Sequence, residues 1–205
     1  HTKFYNAGSS EEFGDVEYSP QDEKHPLRPR SPYGAAKAAA RHIVKVYRES
    51  YNLFAIQGWL FNHEGVRRGE EFVTRKITKS VALIKKALDE NRTPPPMHLG
   101  NLESKRDWGD SEDFVKAVWL MMQQEKPIDY VVASGKTHSI RDFVEGALTS
   151  ANIPFDAIEN TNFFTGDQPA LAYTLKDEPE TPLVYVNPKY FRPAEIQLLL
   201  GDPSR

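Results

Sequence analysis

Short apolar runs alternate along the chain with longer stretches of helical spacing, and this alternation sets the expected fold. Lys3-Phe4-Tyr5-Asn6-Ala7 predicts a strand, and residues 8–14 a turn-rich segment leaving its end. Residues 15–30 carry charges of both signs together with Pro20, Pro26 and Pro29, the composition of a polar loop. A long helix is expected over 32–50, with Ser31 as N-cap and Pro32 at the first helical position. Ala38, Ile43, Val46 and Tyr47 are its expected core contacts. Phe54 to Phe61 is nearly continuously apolar and predicts a strand buried on both faces. Strand, crossover helix and strand make the unit of a parallel sheet.

Farther along, Val73, Ile77, Val81, Ile84 and Leu88 repeat at helical spacing and predict an amphipathic helix over 72–90, broken by Pro94-Pro95-Pro96. A second such helix is expected over 111–124, then a short strand at Tyr130-Val131-Val132-Ala133. Ser139 and Asp142 form a capping box that opens a helix to about Ser150. Residues 153–182 are rich in Asn, Asp, Glu and Pro and read as a loop insertion. Val184-Tyr185-Val186 reads as a strand, and Pro193 as the opening of a last helix to Leu200.

Composition narrows the function classes. With 205 residues and 39% hydrophobic content, the chain reads as globular, one large domain or a core with a smaller lobe. A net charge of -3 gives no electrostatic argument for nucleic acid or an anionic membrane. The absence of cysteine excludes disulfides, thiolate metal sites and a cysteine nucleophile. The six histidines show no ligand spacing, so no metal is expected. No apolar run reaches the ~18 residues of a membrane span, and no signal peptide opens the chain. A cytoplasmic enzyme or binding module fits these bounds.

The chemistry concentrates at Ser31-Pro32-Tyr33-Gly34-Ala35-Ala36-Lys37. Tyr33 and Lys37 are four apart and share one helix face. An ammonium beside a phenol favours the phenolate, so this tyrosine is a candidate base. The hydroxyl-rich segment Ser9-Ser10-Glu11 ends twenty residues upstream. A tyrosine–lysine redox site needs a dinucleotide, yet no Gly-x-x-Gly-x-x-Gly turn follows any strand of this sequence. The chain also begins inside an expected strand, which leaves an apolar edge unpaired. A fragment, or a chain completed by a partner, is therefore expected.

These pieces resemble the GDP-mannose 4,6-dehydratase family of extended short-chain dehydrogenases/reductases. The resemblance is carried by residues 4–11, 30–37, Leu60-Phe61-Asn62-His63-Glu64, Arg67-Arg68-Gly69, 72–77, Leu99-Gly100-Asn101-Leu102, Lys105-Arg106-Asp107-Trp108-Gly109 and residues 190–195. It implies an α/β fold: a partial doubly wound (Rossmann) parallel sheet that binds NADP, with a smaller lobe for the nucleotide sugar. The Rossmann remainder is expected at 1–65 and 110–135, and the lobe at 66–109 and 136–205. The glycine-rich part and the family's terminal helices are expected to be missing, and useful activity or NADP binding is not expected of this chain alone.

The implied reaction is the dehydration of GDP-mannose to GDP-4-keto-6-deoxymannose by internal redox. Tyr33 would take the C4 hydroxyl proton, with Lys37 beside it and at the nicotinamide ribose. Ser9 stands where the family usually has threonine and would bond the C4 oxygen. Glu11 would be the base at C5, and its neighbour Glu12 stands where the family is usually apolar. By the same resemblance His63 and Arg68 contact cofactor, Arg68 from a loop that reaches a neighbouring subunit, which implies a homo-oligomer. Asn62, Val73, Lys76, Arg106, Arg192 and Glu195 would hold the sugar nucleotide. Another dehydratase or epimerase of the same fold remains an alternative, as does a truncated paralogue serving as a binding subunit.

Overall fold

The computed structural model describes residues 2–158, 168–191 and 198–205. In chain order they form β1 (Phe4–Ser9), a 3-10 turn (Ser10–Glu12), α1 (Pro32–Tyr51), β2 (Ala55–Leu60) and β3 (Asn62–Glu64). Next come α2 (Val73–Asp89), β4 (Met97–Leu99), β5 (Lys105–Asp110), α3 (Ser111–Gln123), β6 (Tyr130–Val132) and β7 (Thr137–Ser139). The remainder is α4 (Ile140–Ser150), β8 (Phe155–Ala157), β9 (Ala170–Leu175), β10 (Glu178–Val186) and β11 (Leu198–Leu199). Two units emerge: His1–Val66 with Lys105–His138 and Ile196–Arg205, and Arg67–Ser104 with Ser139–Glu195.

In the first unit β1, β2 and β6 form a parallel sheet in the order β1-β2-β6, with Phe4 opposite Ala55 and Gly58 opposite Tyr130. Adjacent residues of β2 point to opposite faces. Trp59 lies under the Arg41 guanidinium of α1, 4.7 Å from its ring, whereas a side chain at Gly58 would meet the tip of Met121 on α3. The two helices therefore cover opposite faces, as a doubly wound sheet requires. The Phe61 amide donates to Val132 at 3.0 Å, and the chain then changes sheets, so that β3 pairs in parallel with β5. Asn62 and His63 thus belong to a separate strand directly beyond the buried one.

Helix α1 begins as the sequence predicts: the Ser31 hydroxyl accepts the Gly34 amide at 3.0 Å, and Pro32 needs no acceptor. It ends at Asn52, whose φ of 50° is left-handed. Its core contacts differ from expectation. Ala38 is buried, but Ile43, Val46 and Tyr47 are 58%, 58% and 53% exposed. Gly34 and Ala38 allow close approach instead, and cationic groups make the attachments. Arg48 donates to the Ala55 carbonyl at 3.0 Å and forks onto Asp129 at 2.7 and 3.1 Å, with Arg41 3.9 Å from the same carboxylate.

Two polar residues tie distant segments of this unit together. Asp107, fully buried in β5, accepts the amides of Ser134, Gly135 and Gly201 and the Ser134 hydroxyl. Gln21, equally buried in the long loop, exchanges three hydrogen bonds with Leu200 and Asp202. These bonds satisfy backbone groups that would otherwise be buried without partners.

In the second unit α2 buries Thr74, Ile77, Val81, Ile84 and Ala87, while Val73 at its first turn is exposed. The capping box of α4 is formed: Ser139 Oγ accepts the Asp142 amide at 3.0 Å, and Asp142 returns an acceptor to the Ser139 amide at 2.8 Å. Within the expected loop over 153–182, the described residues are largely sheet, in the order β4-β10-β9-β8. β9 and β10 form an antiparallel hairpin through Lys176 and Asp177, the latter left-handed at φ 61°. Ala172, Tyr173 and Thr174 of β9 are all buried, and the Tyr173 hydroxyl donates to Glu145 at 2.6 Å while accepting from Arg141 at 2.8 Å. The start of the expected last helix at Pro193 lies outside the described residues. Its end is not helical, because Leu198 and Leu199 are β11 and pair in parallel with β5. That pairing also assigns β5 and β11 to the first unit, rather than to the lobe expected over 66–109 and 136–205.

Candidate active site

The candidate site is built at the carboxyl end of β1, where parallel sheets place ligands. β1 delivers Ser9, and the 3-10 turn delivers Glu11. The Ser9 hydroxyl accepts the Glu11 amide at 3.2 Å, and the Ser9 amide donates to Glu12 Oε1 at 2.9 Å, a closed capping box. Phe13 follows at once, fully buried against Trp59 and Phe61 at ring distances of 5.9 and 6.1 Å. A fully buried aromatic of this size contributes about 1.5–3 kcal/mol and pins the turn from below.

The first turn of α1 closes on the same place. A side chain at Gly34 would lie 2.6 Å from the Glu11 carbonyl, so only glycine lets the helix come this near. The Ser31 hydroxyl donates to Glu11 Oε2 at 3.0 Å while capping the helix, which ties the carboxylate to the helix that carries Tyr33 and Lys37. Tyr33 is 54% exposed. Lys37 Nζ donates to the Ala7 carbonyl of β1 at 2.9 Å and lies 5.6 Å from the centre of the Tyr33 ring. The helix that carries Tyr33 and Lys37 is thus held to the strand and turn that carry Ser9 and Glu11 by one contact to β1, one to the turn and one shared hydroxyl.

Glu11 and Glu12 are adjacent in sequence and opposite in environment. Glu11 is partly exposed. Glu12 is completely buried, and both its oxygens are taken by donors: Gln57 Nε2 at 3.2 and 3.0 Å and Trp59 Nε1 at 3.1 Å, besides the Ser9 amide. Burial pushes the Glu12 carboxyl above its ordinary range, with these hydrogen bonds and the nearby Arg41 pulling it back in part. Only Glu11 is open to a substrate.

The other expected residues fall in separate places. In the first unit His63 is held by Nδ1 against the Phe61 carbonyl at 2.9 Å and stacks on Phe114, with ring centres 5.0 Å apart. Asn62 pairs with Trp108 across the β3–β5 ladder, and Arg106 is half-buried on β5 with Nη1 on the Lys105 carbonyl. In the second unit Lys76 Nζ donates to the His98 carbonyl at 2.6 Å and lies 4.2 Å from the centre of the Tyr190 ring. Burial lowers the pKa of that ammonium. Val73 opens α2. Arg68 is half-buried, and its guanidinium covers the Phe72 ring at 3.5 Å. Arg192 and Glu195 lie outside the described residues.

Sequence reasoning did not find Ser31 as a partner of Glu11, or the Glu12–Gln57–Trp59 network. The signal for the network was available: Gln57 is a polar residue in a run that reads as buried, and a buried amide must be paired. Among the described residues no group of three or more His, Asp or Glu side chains could hold a metal ion, and no helix is long and apolar enough to cross a membrane.

Comparison with known proteins places this geometry in context. The chain is 47% identical over 205 residues to GDP-mannose 4,6 dehydratase of Drosophila melanogaster, covering 100% of this chain and 49% of that protein. To the Homo sapiens GDP-mannose 4,6 dehydratase it is 46% identical over 203 residues, covering 99% and 51%. It thus spans about half the length of the curated relatives it matches. Among solved structures, UDP-glucose 4-epimerase of Thermus thermophilus in complex with NAD superposes with a TM-score of 0.70 at 22% identity, over 98% of this chain and 55% of that one. RMD from Pseudomonas aeruginosa complexed with NADPH gives 0.67 at 25%, over 73% and 51%. The epimerase likeness is one of fold, a Rossmann-type sheet. A profile of the family described as GDP-mannose 4,6 dehydratase matches residues 1–205, and with these identities the chain belongs to that family.

Proposed function

We propose that the protein acts as a GDP-mannose 4,6-dehydratase, converting GDP-mannose to GDP-4-keto-6-deoxymannose and water with NADP as a recycled cofactor. The observation that carries this reading is the division of labour between two neighbouring carboxylates. Glu12 is sequestered, while Glu11 is accessible and bonded through Ser31 to the helix of Tyr33 and Lys37. A redox dehydration needs two separate proton acceptors, one at a hydroxyl and one at carbon, and here an accessible carboxylate is bonded to the start of the helix that carries a phenol.

Tyr33 takes the proton of the C4 hydroxyl, and the Ser9 hydroxyl bonds the C4 oxygen. A carbonyl at C4 makes the C5 hydrogen acidic. Glu11 removes that proton and gives it to the departing C6 hydroxyl, which leaves as water, and a solvent proton returns to C5 when C6 is reduced. A bound nicotinamide supplies the acceptor for the C4 hydride and its return to C6. Lys37, fixed to the end of β1, and His63, fixed by the Phe61 carbonyl, fit its nicotinamide end. The NAD and NADPH complexes of the structural relatives support a cofactor of this class. No glycine-rich strand-to-helix turn occurs in these 205 residues to cradle its pyrophosphate.

For the sugar nucleotide, Asn62 and Arg106 are the candidate contacts in the first unit, and Val73 and Lys76 in the second. Arg192 and Glu195 are proposed on the family resemblance alone. A desolvated ammonium such as Lys76 is suited to a diphosphate, whose charge restores what burial removes. The exposed face of Ile43, Val46 and Tyr47 supports a homo-oligomer, with a second copy covering it. Arg68 is proposed for the cofactor of that neighbour.

The test is the native gene product with GDP-mannose and NADP in deuterated water. Wild type is expected to form the 4-keto-6-deoxy sugar with deuterium at C5. Glu11→Gln is expected to lose product formation and C5 exchange together. Unchanged GDP-mannose with wild type overturns the activity, and C5 exchange at the normal rate in Glu11→Gln overturns the assignment of the base.

A further inference from the structure

One fully buried ionisable group next to the site has no part in the proton transfers above. Glu12 receives four hydrogen bonds from three donors and gives none, so both its oxygens serve as acceptors. The donors come from three places: the backbone of β1 at Ser9, the Gln57 amide and the Trp59 indole of β2. Gln57 extends the chain of bonds, because its Oε1 accepts from Asn6 Nδ2 at 2.6 Å. A side chain at Gly8 would lie 2.6 Å from the Gly58 carbonyl, 2.7 Å from Gln57 Nε2 and 2.8 Å from Glu12 Oε1. The network is thus packed directly against the backbone that leads into Ser9.

An apolar residue at this position would fill the volume but leave the Ser9 amide, the Gln57 amide and the Trp59 indole without their acceptor. The cost would fall on a three-residue 3-10 turn, which has little stability of its own. Ser9 and Glu11 sit inside the loop that Glu12 closes: Glu12 holds the Ser9 amide, and Ser9 holds the Glu11 amide.

We propose that Glu12 is a positioning residue, a buried anchor that fixes Ser9 and Glu11 against β2 in the geometry the reaction needs. The proposal rests on the dehydratase reading for its catalytic consequence and on geometry alone for its structural one. Glutamine at position 12 keeps the shape but must turn its NH2 toward the Trp59 indole or the Ser9 amide, setting donor against donor. The turn then shifts while the sheet below it stays paired, and displacements of about 1 Å in such a site cost about 10²-fold in rate.

The experiment compares wild type, Glu12→Gln, Glu11→Gln and the double variant in the native gene product, by residue-resolved amide exchange and by steady-state kinetics. In Glu12→Gln the Ser9 amide is expected to exchange at least about tenfold faster, with the Ile56 and Trp59 amides of β2 still protected. The kcat is expected to fall about 10- to 100-fold with KM for GDP-mannose within about twofold, and the double variant to lose no more than Glu11→Gln alone. A Ser9 amide that exchanges at the wild-type rate overturns the anchor. So does an unchanged kcat, or a double variant whose losses add. Should Glu12→Gln fail to fold, Trp59→Phe withdraws one donor and keeps the carboxylate, and the same changes are expected in smaller measure; their absence overturns the proposal. If wild type does not dehydrate GDP-mannose, the functional reading fails by itself, and the exchange of the Ser9 amide still decides for or against the anchor.

Discussion

Helix α2 buries Ile77 and Ile84 completely and Val81 nearly so, whereas α1 turns Ile43, Val46 and Tyr47 outward and meets its sheet through Gly34, Ala38, Arg41 and Arg48. Both sequences carry apolar residues at helical spacing. The spacing forms the helix in each case, but it does not say what covers the stripe. In α1 small residues bring the backbone close to β1 and the turn, Lys37 and Arg48 make directional bonds to two carbonyls and a carboxylate, and Arg41 pairs with the same carboxylate. Directional bonds fix rotation and translation along the helix more tightly than an oily contact does. That is the better attachment for a helix that presents Tyr33, while α2 needs only to stay in place.

The largest expected effect falls on α1 and spares its stability. Tyr33→Phe removes an exposed hydroxyl, so initial rates of GDP-mannose dehydration should drop by about 10²–10⁴, while the melting temperature stays where it was. A matching loss of stability would mean that Tyr33 is a packing residue and that the contrast between the helices is false.

Next in size is the contrast itself. Ile84→Ala should cost about 2–5 kcal/mol in denaturant unfolding, because the side chain is fully enclosed. Ile43→Ala on α1 should cost no more than about 0.5 kcal/mol in the separated subunit and should instead weaken self-association in sedimentation. Equal costs for the two would show that the exposed stripe of α1 is part of the fold of a single chain.

A smaller effect sharpens the polar side of the comparison. Burial raises the Glu12 carboxyl, so the folded chain keeps its proton at pH values where the unfolded chain has released it. Its contribution is therefore complete below the ordinary glutamate pKa of about 4.3 and declines as pH rises through the raised value. Asp22, held low by the Tyr18 hydroxyl, acts in the opposite sense but equally in both proteins. Thermal melts of wild type minus Glu12→Gln, from about pH 4 to about pH 8, should therefore slope downward with pH. A flat difference would show that the hydrogen bonds to Glu12 offset its burial.

Much of this was legible in the sequence, for identifiable reasons. The starts of α1 and α4 follow from Ser31-Pro32 and from Ser139 with Asp142, because capping is a local bargain between neighbours. The β9–β10 hairpin was not legible: Asn, Asp and Pro around it outweigh the six residues Ala170 to Leu175, and the packing that makes them a strand comes from elsewhere in the second unit. The change of sheets at Phe61 has no local signal, since one residue between two apolar strands looks like a continuous run. At the site the candidates Tyr33, Lys37, Ser9 and Glu11 came from the pattern and the family resemblance. The resemblance named Glu11 over Glu12, but the contrast in their surroundings rests on long-range partners, which lie 45 and 47 residues away for Glu12 and 20 for Glu11.

The Asp107 carboxylate also governs when the first unit can be finished. One of its donors, Gly201, lies 94 residues downstream, and β11 must add to β5 at the same time. During synthesis the ribosome delivers all of Arg67–Ser104 and Ser139–Glu195 before that donor emerges. The segments of the second unit thus have time to find one another first, while the first unit waits for the last of the donors to Asp107, and chain elongation imposes an order of assembly that the finished fold no longer shows.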